Sequence, residues 1–141
     1  MNREQLAEVV SAAWNVTAGV RVEPCAAATE RGPEVWAQVP LKGAWSGVLA
    51  MGAPKAALDV AAAVMFGCAV DDVTDQDRQD VALELVNVVG GNLAPVFGDG
   101  CLIGLPSPGA SCEGDSVLRQ EFALDGMTIV AACFESVPAG H

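Results

Sequence analysis

The apolar positions of this chain change period several times, and each change marks an element. From Asn2 to Trp14, Leu6, Val9, Val10 and Ala13 recur at helical spacing with Glu4 and Glu8 near the start, which predicts an amphipathic helix packed on a sheet. The period then drops to two. Val20 and Val22 alternate with Arg21 and Glu23 across Gly19 to Cys25, a strand whose end Pro24 marks. Ala26 to Pro33 reads as a loop. Glu34 to Leu41 sets Val35, Ala37, Val39 and Leu41 on one side and Trp36 on the other, and beyond a Lys42-Gly43 turn Ala44 to Met51 completes an antiparallel hairpin. Pro54 suits the first position of a second helix that stops at Gly67. That helix is apolar nearly all round except at Lys55 and Asp59, so most of it is expected to be buried.

The most informative stretch runs from Asp77 to Phe97, after an acidic start in which Thr74 or Asp75 is the N-cap. Ala82, Val86, Val89, Leu93 and Phe97 fall on one side of this helix and predict its core face. Opposite them, Asp77, Asp80, Glu84, Asn87 and Gly91 lie above one another in a narrow stripe, flanked by Val81 and Val88. A solvated face normally mixes Lys with Glu, yet no cation occurs between Asp80 and Phe97, so the stripe asks for a partner. Gly90 and Gly91 add to this, because a glycine inside a helix costs about 1 kcal/mol relative to alanine unless something needs the missing side chain. Close approach of another surface is one such need. By spacing alone, Glu84 and Asn87 also fit an ordinary exposed face, where polar pairs at i, i+3 are common.

Past this helix, Gly98-Asp99-Gly100 turns into a short strand, Cys101 to Leu105, and Pro106-Ser107-Pro108-Gly109 reads as a stiffened loop. Neither glycine cluster has the strand, spacing and lysine of a phosphate-binding loop. Val117 to Leu124 and Met127 to Phe134 are separated by Asp125-Gly126 alone, the strongest two-residue hairpin signal, and the tail from Glu135 is expected to fray. The order is α-β-β-β-α-α-β-β-β. Short turns imply antiparallel pairing and the helices imply one layer, so the fold class is α+β, an antiparallel sheet of about six strands carrying long helices, within one domain spanning residues 1–141.

Charge narrows the list of partners. Seven basic against eighteen acidic residues leave a net charge of −11, with no Lys/Arg cluster, which argues against nucleic acid and anionic membrane surfaces. The longest apolar run, Val60 to Val70, is too short to span a bilayer, and acids stand where a signal peptide needs apolar residues, so a cytoplasmic protein is expected. Cys25, Cys68, Cys101, Cys112 and Cys133 are scattered without a C-x-x-C pair and His141 is terminal; buried free thiols are expected rather than a zinc site.

The segment D-V-A-L-E-L-V-N-V-V-G-G-N, residues 80–92, resembles the signature of the CheC/CheX/FliY group of chemotaxis phosphatases, with Asp80, Glu84 and Asn87 fitting position by position. G-A-W-S-G-V-L-A-M-G-A-P-K-A-A, L-P-S-P and the final hairpin are consistent with it, and the single Glu-x-x-Asn places the chain nearer CheX than the duplicated CheC pattern. Pro106 and Pro108 only approximate the proline that the CheC pattern expects after the Asn. The resemblance implies hydrolysis of the aspartyl phosphate on a CheY-like response regulator in chemotaxis or a related phosphorelay. In that scheme Asn87 positions the attacking water and Glu84 pairs with the regulator's lysine, while Asp80, Val88 and Gly91 form the rim of the contact. No cofactor is expected on this chain, a Mg²⁺ is expected on the regulator, and the resemblance suggests a homodimer through sheet edges. The main alternative is a non-catalytic CheX-like binding or adaptor module that docks a response regulator, a flagellar switch component or a secretion component. A structural or small-ligand domain with a merely solvated stripe is the other.

Overall fold

The computed structural model describes residues 1–25, 32–110 and 116–135. Most of the loop expected at Ala26 to Pro33, the tail beyond Glu135, and Cys112 lie outside the described residues.

Helix α1 (Arg3–Ala18) opens with a capping box in which the Asn2 side chain accepts from the Gln5 amide and the Gln5 side chain accepts from the Asn2 amide. It ends on Gly19 in the left-handed conformation, four residues later than the sequence pattern suggested. Gly19 is therefore a helix cap rather than the first residue of a strand, and β1 shrinks to Glu23–Cys25. Strands β2 (Val35–Lys42) and β3 (Gly47–Ala53) form the expected hairpin, and β6 (Leu118–Leu124) and β7 (Met127–Glu135) form the second. Asp125 and Gly126 both have positive φ, 46° and 78°, the backbone twist that a two-residue hairpin turn requires. Two very short strands complete the set, β4 (Leu102–Ile103) and β5 (Ser107–Pro108). The stretch read as a stiff loop thus contributes a strand, because Ser107 and Pro108 pair with Gln38 and Ala37 along the free side of β2.

The seven strands make one antiparallel sheet in the order β1-β6-β7-β3-β2-β4, with β5 also on β2, and the class is α+β as expected. β3 and β7, distant in sequence, pair at its centre. The outer side of β2 is covered by residues 102–109, where the Gly104 and Gly109 amides donate to the carbonyls of Pro40 and Trp36.

Helix α2 (Lys55–Phe66) starts after Pro54 and closes on the left-handed Gly67. Helix α3 (Asp75–Phe97) starts at a Thr74–Asp77 capping box. α1 and α3 lie against the sheet, whereas α2 packs on those two helices. That position overturns the expectation that α2 is mostly buried. Ala57, Leu58, Ala61 and Ala62 are buried, but Val60, Val64 and Phe66 are exposed, since an outer helix has only one face to hide.

α3 is long and apolar enough, by length and composition, to cross a membrane. In this fold its apolar face, Ala82, Val86, Val89 and Leu93, is core instead, closed at the end by Phe97, whose ring stacks on Trp45 with centroids 4.3 Å apart. Its start is tied to α2 by Arg78, which donates from Nε to Asp59 at 2.6 Å and from Nη1 to Asp75 at 2.6 Å. The Asp59 hydrogen bond, working against the partial burial of the guanidinium, holds the Arg78 pKa above its ordinary value.

Of the four described thiols, Cys133 alone is buried; Cys25, Cys68 and Cys101 are half-buried, because each lies at a strand end or in a connection rather than in the core. Burial pushes the Cys133 thiol up to about 12. The fold selects the neutral form, so this side chain's contribution to stability is complete below the unfolded-state pKa of about 8.5 and declines as pH rises from there towards the folded value. We expect a thiol reagent at pH 8, used on a Cys112→Ser background, to modify Cys25, Cys68 and Cys101 in the native protein. Cys133 should react only at the rate of unfolding.

Candidate functional site

The solvent-facing stripe of α3 is not uniform. Asp77 is consumed by the N-terminal cap, where its carboxylate accepts from the Thr74 amide at 3.0 Å. Asp80 accepts from the Gln76 side chain at 2.8 Å. Glu84 is exposed and Asn87 half-buried, and neither side chain has a hydrogen-bond or ion-pair partner among the described residues. Gly91 is exposed one turn further on. Spacing of i, i+3 keeps the Glu84 and Asn87 Cβ atoms about 5–6 Å apart, so one small group could meet both ends.

The flanking valines divide. Val81 is fully buried and belongs to the core, and Val88 is half-buried against it, so Val88 offers only its outer edge to a partner. The reason is the width of the apolar face: Val81 and Leu85 widen it on one side, leaving a polar strip narrower than the sequence pattern suggested.

The two helix glycines prove to have different uses. A Cβ on Gly90 would stand 2.7 Å from Val39 Cγ1, so this glycine lets α3 sit close on β2. On Gly91 a Cβ would meet only Ile103 Cδ1 at 3.9 Å, an ordinary contact. The close approach inferred from the Gly-Gly pair is thus made inside the chain by the first glycine, and the second leaves bare backbone at the surface. Pro95, four residues on, has no amide hydrogen, so the Gly91 carbonyl also lacks its regular helical donor. Gly90→Ala is expected to destabilise the fold by about 1–3 kcal/mol through overpacking, less a gain of up to about 1 kcal/mol in helix propensity. Gly91→Ala should receive the propensity gain without the clash, and urea unfolding of the two variants reads the contrast.

Three residues missed by sequence reasoning border the stripe. Thr17 from the end of α1 and Met65 and Phe66 from the end of α2 line a surface groove of about 450 Å³ with Asp80 and Glu84. The sequence held one signal for them, a Met-Phe pair directly before the helix-stopping Gly67, but the all-apolar look of α2 assigned both to the core. Asn87, Val88 and Gly91 do not line this groove; they continue the stripe beyond it. Pro106 is half-buried and Pro108 sits in β5, both on the β2 side of the sheet. Among the described residues no group of three or more His, Cys, Asp or Glu side chains is placed to hold a metal ion.

Comparison with known proteins adds the following. The family model described as chemotaxis phosphatase CheX matches residues 35–116, which contain the hairpin β2–β3, α2, all of α3 and the stripe. The fold is similar to that of the chemotaxis protein CheX from Vibrio vulnificus, with a TM-score of 0.77 at 14% identity, covering 94% of this chain and 95% of that one. A CheX from Desulfovibrio desulfuricans superposes with a TM-score of 0.76 at 18% identity over 94% and 97% of the two chains. The CheX of a CheX–CheY–BeF3–Mg²⁺ complex from Borrelia burgdorferi gives 0.74 at 19% identity over 95% and 97%. A search of curated protein sequences finds no match. With the family model matching more than half of the sequence and the antiparallel sheet and helix order in agreement, the chain belongs to the CheX family.

Proposed function

We propose that this protein dephosphorylates a phosphorylated CheY-like response regulator, with Asn87 holding the attacking water and Glu84 pairing with the lysine beside the regulator's phosphorylated aspartate. The observation that carries the reading is the state of those two side chains. They are accessible, one helical turn apart, and without a partner among the described residues, while Asp77 and Asp80 of the same stripe are engaged locally. The family match and the Borrelia complex, in which a CheX of this fold is bound to CheY, support the choice of partner.

The chemistry asks little of the protein. In an acyl phosphate the phosphoryl group leaves through a loose transition state, so no strong general base is needed. Water attacks phosphorus, the bond from phosphorus to the aspartyl oxygen breaks, and the products are a free carboxylate and inorganic phosphate. The Asn87 carboxamide stays neutral, accepts and donates hydrogen bonds, and can keep the water in line with the breaking bond. Half-burial restricts its rotamers before the partner arrives. Alignment of this kind contributes several kcal/mol, with about 7–11 kcal/mol as the ceiling for perfectly oriented reactants. Glu84 supplies orientation, through a charge-assisted hydrogen bond to the lysine that draws α3 into the regulator's site. The Mg²⁺ in this scheme belongs to the regulator.

The test is to mix the protein with each phosphorylated receiver domain of its own genome and follow phosphate release. Saturable acceleration for one or a few receivers is the expected result. Release at the spontaneous rate from a receiver that nevertheless binds would instead establish the non-catalytic docking module.

A further inference from the structure

The groove beside Glu84 has two unlike walls. On one side stand the carboxylates of Asp80 and Glu84, the second unpartnered among the described residues; on the other stand Met65, Phe66 and Thr17. Phe66 is 48% exposed at the end of a helix that packs on α1 and α3. Two carboxylates in one groove call for a cation, and an aromatic and a thioether facing them call for hydrocarbon. A lysine side chain satisfies both, its ammonium at the carboxylates and its methylene stem along the apolar wall. An aromatic face near a seated ammonium adds a cation–π contribution.

We infer that Phe66, with Met65 behind it, forms an affinity-determining wall of the regulator-docking surface, closing over the stem of the lysine held by Glu84 and over the apolar side chains next to that lysine on the partner. The inference rests on the proposed function for the identity of the partner. Phe66 does not touch the reacting atoms. It acts through the position of Glu84's partner, and its substitution should therefore alter binding and spare the chemical step.

The experiment titrates the full chain against the cognate receiver domain loaded with beryllofluoride and Mg²⁺, and separately measures dephosphorylation kinetics, for wild type, Phe66→Ser, Phe66→Leu and Leu105→Ser. Leu105 is 88% exposed and outside the groove, so it controls for loss of surface hydrophobicity as such. Phe66→Ser should raise the Kd and the KM about tenfold or more with kcat unchanged and the thermal midpoint intact, Phe66→Leu should recover most of the affinity, and Leu105→Ser should match wild type. A Phe66→Ser Kd within about twofold of wild type, or a tenfold loss shared by Leu105→Ser, overturns the inference. If wild type binds the loaded receiver but accelerates no phosphate release, the catalytic reading fails while the Kd comparison still decides the role of Phe66. If wild type binds no receiver at all, both fall.

Discussion

Replacing Asn87 with alanine is expected to lower the maximal rate of receiver dephosphorylation by about 100-fold or more while leaving the half-saturating receiver concentration within about threefold of wild type. The split follows from what the amide does. A group that orders only the attacking water contributes when the phosphorus–oxygen bond is breaking and little when the proteins first meet, so its loss appears in kcat. Folding should be indifferent, because the Asn87 side chain makes no hydrogen bond to the rest of the described chain and is not part of the buried core. Unchanged maximal activity in Asn87→Ala would remove the mechanism, whatever became of the partner assignment.

Glu84→Ala is expected to damage both parameters, each by about tenfold or more, since the carboxylate orients the complex and holds the site closed. Glu84→Gln separates charge from shape: it keeps the length and a hydrogen-bond acceptor, yet should retain little of the affinity. Ionic strength gives a second reading. The wild-type complex should weaken as salt rises and the Glu84→Gln complex should respond less, because the pair being screened has lost one member. With a net charge of −11 the protein gains no long-range attraction towards an acidic receiver, so the local pair has to carry the specificity that steering does not supply.

How much of this was legible in the sequence depended on whether the deciding interaction was local. The Thr74 cap, the core face of α3, the Asp125-Gly126 turn and the β2–β3 hairpin all rest on neighbours within a few residues, and all are found, although the β2–β3 connection falls at residues 43–46 instead of Lys42-Gly43 and β3 starts at Gly47 instead of Ala44. The central pairing of β3 with β7 joins segments some eighty residues apart and leaves no local mark. Gly19 was ambiguous because the same glycine can open a strand or cap a helix, and the Asn15 carbonyl that receives its amide decides the matter. The exposure of α2 was hidden for another reason: an alanine-rich helix looks equally apolar on every side, and only the placement of α1 and α3 determines which side is covered. That is why Phe66 was missed. Within the stripe, periodicity identified Glu84 and Asn87 but could not show that Asp77 is spent on the cap or that Gly90 serves Val39, both facts that separate structural members of the face from free ones.

The most direct test is the rate at which a phosphorylated receiver domain loses phosphate in the presence of saturating protein, measured in a single turnover so that binding is complete before release begins. The account predicts a plateau well above the spontaneous rate for wild type and a plateau close to spontaneous for Asn87→Ala at the same occupancy. A wild-type plateau equal to the spontaneous rate, with the complex fully formed, would contradict it.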